Sequence, residues 1–282
     1  MIDIPSLVTE AKSLEPLPQS SSRLAGLLAG DAWEINDICG VVRLDEALTG
    51  RLLGVANSAR AGAREPIDTV DAAVLRLGSG TVLGIALAGS VRNDYQTALP
   101  AYGLDEGGLW RHSVAAALAV DKARRFCRRP VPTQAFATAL LHDVGKLVLA
   151  RHLTEDVVEA LHAVQGASVI DAEVESTVLS MNHAELGGVV AQSWGLPTAI
   201  AEGIAYHEAP LTAPSDEGRV IATFVGLADA AAVVVGAPCG GPEPPTGFTA
   251  EIAGQLGISK SGFVELCSNV KKELEDVLAE YD

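Results

Sequence analysis

Trp110-Arg111-His112-Ser113-Val114-Ala115-Ala116-Ala117-Leu118-Ala119-Val120 has hardly a polar face through its middle. A helix that is apolar nearly all round has no side to offer to water, so it belongs at the centre of a helical bundle. Read on to Phe126, this stretch predicts one long buried helix. Working outward, apolar residues recur at helical rather than alternating spacing. Leu24, Leu27 and Leu28 begin one stripe; Ile35, Ile38, Val41 and Val42 carry a second; Leu48, Leu52, Leu53 and Val55 form a third. Val70, Ala73, Val74 and Leu77 make a short helix that Gly78 stops, glycine being the residue that tolerates a left-handed C-terminal turn. Pro16, Pro18 and Pro66 break the first hundred residues into short helices.

Composition agrees. Of 282 residues 48% are hydrophobic but only 4% aromatic, so the core is built from Ala, Leu, Val and Ile, the palette of closely packed helices. No internal repeat and no strand run stands out, and the fold class expected is all-α. A net charge of −16 argues against a general nucleic-acid binder, which displaces counterions with Lys and Arg. The longest uncharged apolar-looking stretch, Leu77 to Val91, is interrupted by glycines and falls short of the roughly 18–20 apolar residues that a membrane span needs. Met1-Ile2-Asp3-Ile4-Pro5 lacks the basic and apolar regions of a signal peptide. Cys39, Cys127, Cys239 and Cys267 lie far apart, as reduced thiols do. Together these predict a cytoplasmic protein that is not bound to a membrane.

The histidines carry the chemistry. His142-Asp143 sits in Leu141-His142-Asp143-Val144-Gly145-Lys146-Leu147, and a His-Asp pair alone says little. Its neighbours change that. His112 lies on the buried helix, and His183 falls in a first helical turn, because Asn182 and Glu185 have the spacing of a capping box. His207 ends the helix that starts at Pro197, and Asp229 interrupts the apolar run Phe224 to Ala230. Imidazole and carboxylate are the ligands of borderline divalent metals, and bundle helices can project them to one point. On a continuing helix Lys146 shares a face with His142 and Asp143, where it would steady an anionic group or simply form an ion pair.

These residues resemble the HDOD family, bacterial signalling-output relatives of the HD and HD-GYP domains. The resemblance runs over roughly residues 14–235 and is carried by Leu14-Glu15-Pro16-Leu17-Pro18, Asp45 to Leu53, Val55-Ala56-Asn57-Ser58 and Ile67 to Gly78. Trp110-Arg111-His112-Ser113, the Leu-His-Asp-Val-Gly-Lys stretch, His183-Ala184-Glu185-Leu186-Gly187, Trp194-Gly195-Leu196-Pro197 and Tyr206-His207-Glu208 continue it. It implies a two-lobed helical bundle: an N-terminal lobe over 1–100, an HD-like lobe over 101–238, and a Gly/Pro linker with terminal helices over 239–282. It carries His112, His142, Asp143 and Asp229 over as ligands of a first metal, with His183 and His207 as candidates for a second. Asp143 and Lys146 are the candidate catalytic residues. The metal would be Fe, Mn, Ni, Co or Zn.

Two functions follow from the resemblance. One is a regulatory module acting through a signalling protein partner or a phosphorylated small molecule or nucleotide; metal or ligand binding between lobes would then shift their packing. The other is a metal-dependent phosphohydrolase acting on a phosphomonoester, a nucleotide or a cyclic nucleotide. Cyclic-di-GMP hydrolysis is disfavoured, since no Gly-Tyr-Pro follows His207 and Tyr206 stands where HD-GYP enzymes have the first histidine of a pair. His152 and His162 are read as structural or exposed, and Trp110, Trp194 and Tyr206 as walls of the site. The basic run Lys122 to Arg129 is read as the solvated end of the long helix, with the acidic stretch Glu273 to Asp282 a candidate to pair with it between subunits. Gly240 to Gly247 reads as a linker, and Lys271 to Asp282 as an amphipathic terminal helix.

Overall fold

Local side-chain hydrogen bonds set several of the helix starts. Asp45 accepts from Leu48 N–H (2.9 Å), Asp171 from Val174 N–H (2.9 Å) and Ser215 from Gly218 N–H (2.9 Å), each satisfying a donor that the first turn leaves orphaned. The Asn182–Glu185 capping box closes in both directions, at 2.9 and 3.0 Å. A computed structural model describes residues 4–30, 32–58, 66–159, 170–239 and 250–279. The helices are α1 (Ile4–Ser13), α2 (Gln19–Ala29), α3 (Ile35–Val42), α4 (Glu46–Asn57), α5 (Val70–Leu77), α6 (Ser79–Tyr95) and α7 (Gly108–Ala123). They continue with α8 (Ala135–Leu141), α9 (Gly145–Leu149), α10 (Ala172–Leu179), α11 (His183–Ser193), α12 (Thr198–Ala205), α13 (Asp216–Val234), α14 (Ala250–Leu256) and α15 (Lys260–Ala279). The fold is all-α, and among the described residues no strand forms beyond one isolated bridge between Leu99 and Leu104.

α7 is the hub. It packs against α6, α8, α13 and α15, and 12 of its 16 residues are buried. Ala115, Ala116 and Ala119 on α7, like Ala228, Ala231 and Ala232 on α13, are fully buried, which lets the helices approach closely. α2 to α6 pack on one another, and α6 joins them to α7. α11, α12 and α13 stack in sequence, with α13 against α7, and α1 lies against α9 and α11. Gly78 stops α5 with φ +79°, and the chain turns by 107° into α6. No single helix among the described residues is long and apolar enough to cross a membrane.

Three local readings change. α7 ends at Ala123, so the arginines Arg124, Arg125, Arg128 and Arg129 sit exposed just past the helix. The terminal helix begins at Lys260 rather than Lys271, because Ser259 Oγ accepts the Gly262 N–H (3.0 Å); its buried stripe Leu266, Val270, Leu274 and Val277 faces α7 and α13. Its acids pair within the chain, Glu273 with Lys122 and Glu275 with Arg111, both at 2.5 Å. His152 is tied to Glu10 at 2.5 Å. His162 and the Gly240 to Gly247 stretch lie outside the described residues.

Candidate metal centre

The centre is assembled from helix ends. His112 projects from the first turns of α7, and His142 follows α8 directly. Between α8 and α9 the chain tightens into i→i−3 hydrogen bonds, Val144 N–H to Leu141 O (2.9 Å) and Lys146 N–H to Asp143 O (3.0 Å). His142 and Asp143 therefore lie on a turn, not on the continuous helix expected. In such a turn residues three apart eclipse, which sets Lys146 Nζ on Asp143 Oδ2 at 2.8 Å. His183 is the first residue of α11, His207 and Glu208 follow α12, and Asp229 comes from the middle of α13. Gly145 allows the closure: a Cβ there would stand 2.0 Å from His183 O and 2.7 Å from Gly187 N.

All six residues marked as metal ligands converge. His112 Nε2 lies 3.1 Å from His142 Nε2, 3.2 Å from Asp229 Oδ1 and 3.5 Å from Asp143 Oδ2. The other oxygen of Asp143 faces His183 Nε2 at 3.1 Å and His207 Nε2 at 4.0 Å. Asp143 thus stands between two groups of donors. The first is His112, His142 and Asp229; the second is His183, His207 and Glu208, whose Oε1 is 3.5 and 3.7 Å from the two imidazoles.

Every imidazole is oriented by its outer nitrogen. The Nδ1–H groups of His112, His142 and His207 donate to the carbonyls of Ala237, Ala139 and Ile204, each at 2.7 Å. His183 Nδ1–H donates to Glu175 Oε2 (2.8 Å), and Glu175 also accepts from Tyr102 Oη–H (2.7 Å). All four Nε2 atoms consequently point inward, toward three carboxylates. His183 Nε2, His207 Nε2 and Asp143 Oδ1 are buried without a hydrogen-bond partner. Converging acceptors with orphaned lone pairs, steered by an outer shell of carbonyls and a carboxylate, are what a divalent cation requires. The residues fit a metal.

Without a cation, protons and Lys146 balance the charge. Burial opposes ionisation of His183, yet Glu175 and Asp143 outweigh it and push its pKa up to about 10. Burial likewise opposes charge on His112, but Asp229 and Asp143 raise it. His142 goes the other way, lowered mainly by burial to about 3. Burial would raise Asp143 and Asp229, but the neighbouring cations win: Lys146 and His142 hold Asp143 well below the usual carboxylate range, and His112 brings Asp229 to about 2.

Sequence reading missed three groups. Glu208 lay next to a marked histidine. Glu175 is one acid in the polar first turn of α10, and Cys239 showed no pairing motif; neither carries a local signal. Cys239 follows the carbonyl that orients His112, and its thiol is pushed well up by burial and by Asp143. Of the expected walls, Trp110 faces away from the centre, into an apolar cavity of about 30 Å3 shared with Ile85, Val114 and Leu140.

Comparison with known proteins places this geometry. An uncharacterized protein of Treponema pallidum (strain Nichols) is 25% identical over 218 residues, 76% of this chain but 42% of that protein. The chain therefore spans less than half the length of that relative. An HDOD domain protein of unknown function from Geobacter sulfurreducens superposes with a TM-score of 0.74 at 20% identity, covering 97% of this chain and 98% of the other. A Marinobacter aquaeolei protein ascribed to signal transduction gives 0.73 at 22% identity, over 98% and 63%. At such identities the fold is what is shared. A family model for the HDOD domain matches residues 14–210, and on that match the chain belongs to the HDOD family.

Proposed function

We propose that this chain is a regulatory HDOD module that holds a divalent transition metal in its buried centre and acts by binding, not by turnover. Its partner would be a signalling protein or a phosphorylated small molecule or nucleotide. The observation that carries this reading is the closure of the centre. His112, His142, Asp143, His183 and His207 are at most 1% exposed, and the Lys146 ammonium sits on Asp143 at 2.8 Å. A hydrolase needs an open position beside its metal for water and substrate. Here the four imidazoles and Asp143 are themselves closed off from solvent, and Lys146 is engaged with Asp143 instead of facing an incoming phosphate. His112, His142, Asp143 and Asp229 would hold one ion, and Asp143, His183, His207 and Glu208 a second.

A second reading, metal-dependent phosphohydrolase, is favoured by one feature. The side chains of Glu208 and Asp229 are 20% and 10% exposed, so the centre reaches solvent on their side. A metal there would supply Lewis-acid polarisation and charge neutralisation at a phosphoryl oxygen. Burial raises the Glu208 carboxyl at that exposed edge, while the neighbouring imidazoles of His207 and His183 act against the rise.

The test is elemental analysis of untagged protein beside a His142→Ala/Asp143→Ala control, followed by a manganese-supplemented screen of phosphomonoester, phosphodiester and cyclic-dinucleotide substrates. Near-stoichiometric metal without turnover supports the regulatory reading. Turnover abolished by Asp143→Ala replaces it with the hydrolase. Folded protein that stays empty after incubation with Mn, Fe or Zn ends both.

A further inference from the structure

Past α13 the chain doubles back over the centre. Gly236, with φ +90°, makes the reversal, a conformation that L side chains rarely adopt. It delivers the Ala237 carbonyl to His112 Nδ1 and, two residues on, the Cys239 side chain to the other side of the same imidazole. The donor atoms of His112, Asp143 and Cys239 all lie within 4.8 Å of one another. Lys146 Nζ stands beside them, 2.8 Å from Asp143 Oδ2, 3.3 Å from the Cys239 carbonyl and 3.4 Å from Cys239 Sγ. The cysteine is therefore held in place through its backbone and faces two residues already assigned to the centre. Asp143 is 1% exposed, and the oxygen it turns to this cluster, Oδ2, lies 3.5 Å from His112 Nε2.

We infer that Cys239 is a thiolate ligand of the ion that His112 and Asp143 hold, which makes the centre selective for a borderline-soft divalent metal such as zinc, cobalt or iron(II) over manganese or magnesium. This deepens the metal reading above and rests on it. Coordination deprotonates a thiol, so one sulfur–metal bond forms, the S–H bond breaks and the proton leaves to solvent. The adjacent Lys146 ammonium compensates the negative charge that the sulfur brings. Selectivity follows because thiolate suits zinc and its neighbours, whereas carboxylate and imidazole alone leave manganese competitive.

The experiment is an anaerobic cobalt(II) titration of the metal-free full chain, read by absorption, with Cys239→Ser and Cys127→Ser compared. The expected result is a sulfur-to-cobalt charge-transfer band in wild type and Cys127→Ser. In Cys239→Ser that band disappears while the visible ligand-field bands stay, and the preference for zinc over manganese drops by about tenfold or more, the difference in ligand softness. X-ray absorption of zinc-loaded wild type, which depends on no variant, should show one sulfur scatterer at about 2.3 Å. Ligand-field bands without a charge-transfer band and without a sulfur scatterer overturn the cysteine assignment and leave the metal centre standing. A band that persists in Cys239→Ser overturns it as well. No cobalt uptake by wild type sinks the metal reading and this inference together.

Discussion

His112 Nε2 and His142 Nε2 face each other at 3.1 Å, while each ring has committed its Nδ1–H to a backbone carbonyl, Ala237 for one and Ala139 for the other. Two lone pairs at that distance repel unless something positive lies between them. In the metal-free protein it is a proton: His112 is raised by Asp229 and Asp143 against its burial, and burial drives His142 down to about 3. A metal must displace that proton, and the His183 proton as well when the second group is filled.

Metal uptake should therefore release protons. At neutral pH, addition of zinc or cobalt to weakly buffered metal-free protein acidifies the solution by at least one proton per chain, and affinity rises with pH. An indicator-dye titration measures it. Uptake without acidification would mean that the ion binds elsewhere.

Alkaline stability should depend on His183. Its folded pKa, about 10, lies above the unfolded value near 6.5, so its contribution is fully present below about pH 6.5 and is lost as pH rises toward 10. From this group the metal-free protein loses on the order of 1.4 kcal/mol per pH unit across that window. Urea unfolding at several pH values reads the slope. Glu175→Gln removes the largest partner of the imidazolium and should flatten it; an unchanged slope would place its source elsewhere.

Lys146→Met should separate the metal-free from the metal-bound state. Without metal it leaves the buried Asp143 carboxylate short of its nearest cation, at a cost of about 3–5 kcal/mol. Bound metal supplies that charge, so the loaded variant should regain most of the difference in thermal melting. Equal destabilisation with and without metal would refute the idea that Lys146 stands in for metal charge.

Gly145→Ala should disturb stability and metal content at once. The new Cβ would meet His183 O at 2.0 Å and Gly187 N at 2.7 Å, both backbone atoms that have no rotamer to yield. α9 and α11 must then separate, costing about 1–3 kcal/mol or more. That separation pulls Asp143 from His183 and lowers metal stoichiometry. Gly254→Ala, with nothing within 4 Å of its Cβ, is the control.

What the sequence determined by itself is what short-range interactions decide. The Asn182–Glu185 capping box, the Gly78 stop and the all-round apolar α7 need only a few neighbouring residues, and each could be read along the chain. The six candidate histidine and aspartate ligands were legible through resemblance, since their spacing does not by itself bring them together. Tertiary structure decided the rest. The approach of α9 to α11 at Gly145 and the return of Cys239 over His112 join segments tens of residues apart. Whereas the Lys146–Asp143 pair, three residues apart, could be read along the chain, Glu175, Glu208 and Cys239 owe their places to those long-range approaches. No periodicity marks such residues, because what fixes them is the packing of distant backbones and the need to balance buried charge.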